Sequence, residues 1–401
     1  MPDAPADAAQ APPRRSPLHA VHEAAGASFT DFAGWLMPVR YTSDLAEHRA
    51  VREAAGIFDI SHMAEIEVTG SGAAAFLDAA LAGRLSALVE GQAKYTLLLD
   101  PSGGIVDDLI VYRTGPEAFL VVANAGNRHS VVEVLEAEAA GIPDLAVRDA
   151  SDEVSLIAVQ GPVSRTILEA TAGLEPAAPL ADLRYYRATP ATFDGTELLI
   201  ARTGYTGEDG YELYIAADRA VALWEALVAA GSPLGLVPAG LASRDTLRLE
   251  AGMPLYGHEL GLHTLPAQAG LGKVVALAKE GDFRGRAAVE KGPDPVARVL
   301  VGLVTEGRRA PRADYPVYEE EAAGSDAAAL EAVMDATEGA VAPVGIVTSG
   351  ALSPTLGHPV AMAYVDPALA GPGTRLAVDV RGTRVPATVV TLPFYSRKAT
   401  A

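Results

Sequence analysis

The spacing of apolar and polar residues changes period several times along this chain, and each change marks a predicted element. Up to about Ala55 the spacing is helical, interrupted by the aromatic-rich run FTDFAGWLMPVRY at residues 29–41. Residues 56–70, GIFDISHMAEIEVTG, alternate like a strand that feeds a helix over 72–82. Two apolar runs flanking Asp100-Pro101-Ser102-Gly103-Gly104 predict a hairpin, because proline presets one backbone angle and the glycines tolerate positive φ. A strand follows at AFLVVANAG (118–126), then a helix over about 127–140. Strand, helix, hairpin, strand, helix, strand predicts a ferredoxin-like α+β unit. Residues 152–262 repeat the mixture with more antiparallel signals, and AGLASRDTLRLEAG (239–252) predicts a helix closed by Gly252. Beyond Arg286, short strands separated by Gly and Pro predict an all-β barrel or sandwich. No internal repeat has a fixed period.

The second strand of the hairpin is the most informative segment. Asp107 and Asp108 stand in its middle, where aspartate is a poor strand former. Side chains alternate, so Asp108 shares a face with Ile110 and Tyr112, and Asp107 with Leu109 and Val111. If both faces are covered, at least one carboxylate is buried and needs a partner. Either this is a hydrogen-bonded aspartate at a sheet edge, or it is a functional acid.

Composition narrows the class. At 401 residues, two or three domains are expected. No run has the length and purity of a membrane span, and the Pro- and Ala-rich start reads as a disordered tail over residues 1–15, so a cytoplasmic location is expected. Zero cysteines exclude disulfides, thiolate nucleophiles and cysteine-ligated metals. A net charge of −20 argues against nucleic acid or an acidic membrane as partner. Seven of those twenty excess charges fall within 319–338, which reads as a solvated loop or short exposed helix. The eight histidines have no ligand spacing, so no metal is expected.

Two further segments carry candidate chemistry. ARTGYTGEDGYELYI (201–215) has three spaced glycines but lacks the Lys-Ser/Thr of a phosphate loop, and its acids would repel phosphate. Acceptors suit instead a ligand edge rich in N–H donors, such as an amino-pyrimidinone, with Glu212 facing inward and Glu208 and Asp209 forming an acidic tip. In the 239–252 helix, Arg244 lies on a stripe with Leu241 and Arg248 where a core residue is expected, so it either snorkels or pins a carboxylate. No nucleophile elbow and no dinucleotide fingerprint is present.

In order, DFAGWLMPVRY, AGIFDISHM, GGIVDDLIVY, VVANAGN, IAVQGP, TGYTGEDGYE, SRDTLRLEAG with MPLYGHE, VTSGALSPTLG and LPFYSR make the chain resemble the glycine cleavage system aminomethyltransferases, the T-protein family, over nearly its whole length. The resemblance implies an α+β fold of three domains in a clover leaf around a central folate cavity. The first domain would combine 16–62 with 152–270, a ferredoxin-like insertion would span 63–151, and a C-terminal β-barrel or jelly-roll-like domain 285–401. The implied reaction takes the aminomethyl group from the lipoyl arm of H protein to tetrahydrofolate, giving methylenetetrahydrofolate, ammonia and the dihydrolipoyl arm. By motif, Asp108 would be the catalytic acid, Glu212 would hold the pterin's amino edge, and Tyr205 and Arg244 would contact folate. Met63, Tyr95 and Asn124 would line the cavity. Locally basic ground at Lys273, Arg284, Arg286, Arg397 and Lys398 would dock the acidic carrier. Two other readings compete. A folate enzyme that oxidises dimethylglycine or sarcosine would need a flavin partner domain, and an iron–sulfur assembly protein would need a cysteine.

Overall fold

The structure, a computed structural model, describes residues 12–320 and 342–397. The chain begins with α1 (His19–Ala24), the hairpin β1 (Ser28–Phe32) and β2 (Trp35–Arg40), α2 (Asp44–Glu53) and β3 (Ala55–Asp59). The Ser43 hydroxyl caps α2 by accepting the Ala46 N–H, with Asp44 and Glu47 in its positively polarised first turn. The aromatic run expected to interrupt a helix is itself the β1–β2 hairpin. Its turn is made by Ala33 and Gly34, both at positive φ, with the Asp31 carboxylate accepting the Gly34 N–H at 3.0 Å. Arg14, counted with the tail, hydrogen-bonds to Gly34 and Leu36 through its backbone and stacks over Trp35. Residues 1–11 lie outside the described residues.

GIFDISHMAEIEVTG is two strands rather than one. β3 ends at Asp59, and after a turn over 60–63 the chain enters a different sheet at β4 (Ala64–Thr69). There follow α3 (Ala73–Ala80), β5 (Ala93–Leu99), β6 (Ile105–Gly115), β7 (Ala118–Ala123), α4 (Arg128–Ala139) and β8 (Ala146–Asp149). Their antiparallel sheet runs β5-β6-β7-β4-β8. Without β5 this is a β-α-β-β-α-β unit; β5 extends it as an edge strand beyond β6. The hairpin turn is as expected: the Asp100 carboxylate accepts from the Gly104 N–H and the Ser102 hydroxyl.

The chain returns through β9 (Val154–Gln160), α5 (Ser164–Ala170), β10 (Leu174–Pro176), β11 (Ala188–Phe193), β12 (Thr196–Ala201), β13 (Gly210–Ala216), α6 (Ala220–Gly231), β14 (Leu236–Pro238) and α7 (Leu241–Glu250). These strands and β3 form one seven-stranded sheet, β10-β11-β12-β13-β9-β3-β14, with a single parallel pairing at its β3–β14 end. Its core includes Ile57, Ile157, Val159, Leu213, Leu223 and Trp224. Gly252 at φ +64 closes α7, its N–H bonding to Leu249 and that of Met253 to Arg248.

After α8 (Arg286–Lys291), the strands β15 (Val299–Thr305), β16 (Pro316–Glu319), β17 (Gly345–Leu352), β18 (Pro359–Val365), β19 (Arg375–Val380) and β20 (Thr383–Val390) close into a barrel in the order β15-β18-β17-β16-β19-β20. The fold is thus α+β with a closed C-terminal β-barrel. The loop or helix expected in the acidic stretch falls almost wholly within 321–341, outside the described residues. Among the described residues no helix is long and apolar enough to cross a membrane.

Candidate active site

Where the two sheets, the 252–256 loop and α7 converge, they enclose a cavity of about 450 Å³, a size suited to a small organic ligand. All seven residues singled out by sequence line it: Met63, Tyr95, Asp108, Asn124, Tyr205, Glu212 and Arg244. They come from separate segments, and the topology gathers them. Met63 sits at the crossing between the sheets, Tyr95 on β5, Asp108 on β6, Asn124 just past β7, Tyr205 and Glu212 before and on β13, and Arg244 on α7.

Asp108 and Ile110 face the cavity, while Tyr112, on the same side, enters the packing between the sheets. The Tyr95 hydroxyl donates to Asp108 Oδ2 at 3.0 Å and Asn124 Nδ2 to Oδ1 at 2.8 Å. Burial raises the Asp108 carboxyl above its ordinary range, and these two donors hold it partly back. Asp107 points the other way and is fully buried. It accepts the Asn124 backbone N–H at 2.9 Å and the side-chain amides of Asn124 and Asn127 at 2.8 and 2.6 Å. Burial, and then the neighbouring Asp108, push it up to about 7. The same Asn124 amide therefore ties the two carboxylates together.

On the seven-stranded sheet, Glu212 accepts from the Thr203 hydroxyl at 2.5 Å. Burial raises its carboxyl, against Thr203 and the Arg244 charge. Arg244 lies over the Tyr205 ring, 4.9 Å from its centroid, and among the described residues its guanidinium makes no hydrogen bond or ion pair. It neither snorkels nor pins a carboxylate. That second role belongs to Arg248, one turn on and fully buried, which pairs with Glu259 at 3.0 Å and Asp245 at 2.8 Å and donates to Ser349.

Two of the three glycines of TGYTGEDGYE, Gly204 and Gly210, make room for a side chain rather than for phosphate. A Cβ at Gly204 or Gly210 would sit 2.0 or 2.4 Å from the Gln160 amide, which fills the space between them. Gln160 donates to the Thr203 carbonyl and accepts from the Thr206 hydroxyl. The expected acidic tip also differs. Glu208 is buried, paired with Arg52 at 3.0 Å and accepting from the Tyr395 hydroxyl at 2.7 Å, and Asp209 is held by Arg202 and Arg397. The turn packs against Arg52 of α2 and against Tyr395 and Arg397 near the C-terminus instead of projecting into water.

Several lining residues had no signal in periodicity. Tyr186 adopts φ +60, a left-handed conformation strained for a bulky residue, and borders the cavity. Pro254, Leu255 and Tyr256 close another side, and the Pro254 carbonyl accepts the Tyr205 hydroxyl. Buried His62 lies next to Met63; burial and Arg244 lower its imidazole to about 3, which keeps it neutral. Of the basic residues expected at a docking surface, Arg284 and Arg286 are half-buried and engaged within the chain. Arg284 bonds to the Leu99 carbonyl and Glu138, and Arg286 to three carbonyls and Glu290, so both brace the segment before the barrel. Lys398 lies outside the described residues.

Comparison with known proteins agrees with this fold. The GCVT N-terminal domain family matches residues 18–279, and the glycine cleavage T-protein C-terminal barrel domain family residues 298–396. The aminomethyltransferase of Cutibacterium acnes is 54% identical over 96% of this chain and 99% of its own. That of Streptomyces avermitilis is 52% identical over 96% and 98%. The crystal structure of glycine cleavage system aminomethyltransferase T from Bartonella henselae superposes with a TM-score of 0.82 at 36% identity, covering 95% of this chain and 98% of that one.

Proposed function

The chain belongs to the glycine cleavage T-protein family, and from that premise we propose which residues carry its reaction. The protein is the tetrahydrofolate-dependent aminomethyltransferase of the glycine cleavage system. Its reaction passes the one-carbon unit to tetrahydrofolate, giving methylenetetrahydrofolate and ammonia. We take the donor to be the aminomethyl-lipoyl arm of H protein and the location to be the cytoplasm.

The observation that carries the assignment of roles is that an acid and a donor-edge acceptor, on strands of two different sheets, line one cavity. Asp108 is the acid. As an anion it stabilises positive charge as it develops on the transferring carbon and orients the attacking folate nitrogen. Its two hydrogen-bond donors are neutral, so no counter-ion competes with that charge. Glu212 takes the amino-pyrimidinone edge of the pterin through paired N–H bonds. Arg244, free of carboxylate partners, contacts the folate beside Tyr205, whose ring offers an aromatic face. Met63, Tyr95 and Asn124 complete the wall, Tyr95 and Asn124 by fixing the Asp108 carboxylate in place.

The test is direct formation of methylenetetrahydrofolate from an aminomethylated lipoyl carrier, with dimethylglycine and sarcosine as alternative donors. Turnover is expected with the carrier alone. Turnover of either free amine at a comparable rate would replace the carrier-based reading.

A further inference from the structure

Glu212 does not meet the rest of the protein through one hydrogen bond alone. Its oxygen Oε2 is the end of a file of three buried hydroxyls. Thr203 Oγ1 lies 2.5 Å from it, the Tyr112 hydroxyl 2.9 Å from Thr203, and the Tyr214 hydroxyl 3.1 Å from Tyr112. Thr203 and Tyr112 are each 1% exposed and Tyr214 5%.

Proton counting fixes the direction of this file. An ionised carboxylate has no proton to give, so the single Thr203 proton points at Glu212. Thr203 must then accept from Tyr112, and Tyr112 from Tyr214. Three hydroxyl dipoles align toward one carboxylate, each polarising the next in a low-dielectric interior. The file also crosses between the sheets. Tyr214 and Glu212 share a face of β13, whereas Tyr112 stands on β6, on the same face as Asp108.

We infer that Thr203, Tyr112 and Tyr214 are positioning residues, a one-way hydroxyl relay that keeps Glu212 ionised and aimed at the N–H donor edge of the substrate. This rests on the reading of Glu212 given above. The groups that face Glu212 agree with it. Among the described residues, Arg244 from α7 supplies the one positive charge acting on Glu212, while Tyr112, Tyr214, Tyr185 and Tyr186 are phenols that burial holds neutral. A cation that makes no ion pair with Glu212 is a weaker anchor than a hydroxyl in contact at 2.5 Å, so loss of the contact is felt at once.

The experiment is a calorimetric titration of the full-length protein with tetrahydrofolate between pH 5 and 9, with thermal unfolding followed in parallel. Thr203→Val keeps the shape and removes the donor. Binding at pH 7 is expected to weaken about 10-fold or more, the scale of a hydrogen bond to a charged group. Losing the donor raises the Glu212 pKa further, so the pH below which binding fails moves upward. Thr203→Ser restores both affinity and profile, and Tyr112→Phe shifts both in the same direction by less. Wild-type affinity and profile in Thr203→Val or in Tyr112→Phe overturn the relay, as does failure of Thr203→Ser to restore them. Thr203→Ser and Tyr112→Phe carry the test should Thr203→Val not fold. Glu212→Gln separates the two claims. If it binds like wild type, the reading of Glu212 is wrong; if it binds weakly while Thr203→Val binds normally, only the relay is wrong.

Discussion

Glu208 and Glu212 lie four residues apart on one segment, and Arg244 and Arg248 one turn apart on one helix, yet the members of each pair work in different electrostatic settings. Glu208 and Arg248 belong to a lock in which each buried charge meets an opposite charge. Arg52 reaches Glu208 at 3.0 Å and Glu250 at 2.8 Å and stacks on Tyr395, and Arg248 pairs with Glu259. Ser353 and Thr355 of the barrel complete Glu250, so the lock fastens the barrel to α2 and α7. Glu212, Asp108 and Arg244 face the cavity, where the carboxylates rest on neutral hydroxyls and an amide and Arg244 has no carboxylate contact. Full pairing serves stability; charges left with neutral partners are available to a substrate.

The largest effect expected from that contrast is on the lock. Arg248→Met leaves Glu259 buried without its counter-ion, and breaking such a pair costs about 3–5 kcal/mol. Urea unfolding should show that loss, while the enzyme that stays folded keeps its tetrahydrofolate affinity. Unchanged stability together with abolished binding would erase the distinction between the two regions.

Acid should separate them next. His48, Ser353 and Thr355 overcome burial and hold the Glu250 carboxyl at about 2. A depressed carboxyl contributes stability that is fully present above its unfolded value near 4.5 and is lost as pH falls toward 2, on the order of 3 kcal/mol in all. For Asp107, Asp108 and Glu212 the sign is opposite. Their carboxyls are raised, so the folded protein takes up protons more readily than the unfolded chain, and protonating them does not favour unfolding. Glu250→Gln should therefore flatten the loss of stability between pH 4.5 and 2. An equally steep profile in that variant would mean that acid acts elsewhere.

Asp108→Asn comes third. It should unfold at the wild-type temperature within a few degrees yet lose at least about 10²-fold in kcat, equivalent to roughly 2.7 kcal/mol at the barrier. Near-normal turnover would remove Asp108 from the chemistry.

How far the sequence foretold this arrangement depended on the range of the interaction. The hairpin turn at Asp100–Gly104, the parity of Asp107 and Asp108 and the Gly252 stop of α7 are local, set by neighbours a few residues away, and were legible. Residues 28–40 misled because spacing alone does not separate a short aromatic hairpin from an interrupted helix; the Asp31–Gly34 turn decides it. Glu208 and Arg248 were illegible for another reason. Their partners, Arg52 and Glu259, are fixed by packing between distant segments, and a charged residue in sequence carries no mark of which counter-ion it will meet. Arg244 was narrowed to two roles and took neither, because the alternative is an open space that only the assembled walls create. Asp108, Glu212 and Arg244 stood out by residue pattern, Tyr205, Met63, Tyr95 and Asn124 were named through motif resemblance, and Tyr186, outside the motifs, was missed.

The finest test acts on the neutral partners themselves. Tyr95 donates one of the hydrogen bonds that oppose the effect of burial on Asp108, and its own phenol is raised by burial and by that carboxylate, so it stays a donor throughout the working range. Tyr95→Phe deletes this donor and little else, at a cost to the ionised form of about 1.5 kcal/mol, the low end for a hydrogen bond to a charged group, or roughly one pH unit. Since the lost bond favoured the anion, the Asp108 pKa rises. The acid limb of kcat/KM should move to higher pH by that amount, with the alkaline plateau almost unchanged. A limb that stays in place would mean that Asp108 is not the group whose ionisation governs turnover, and a limb that moves to lower pH would mean that Tyr95 favours the neutral acid. Either result would remove the contrast with the lock at its source, because neutral donors would then not be what keeps a buried charge ready for substrate.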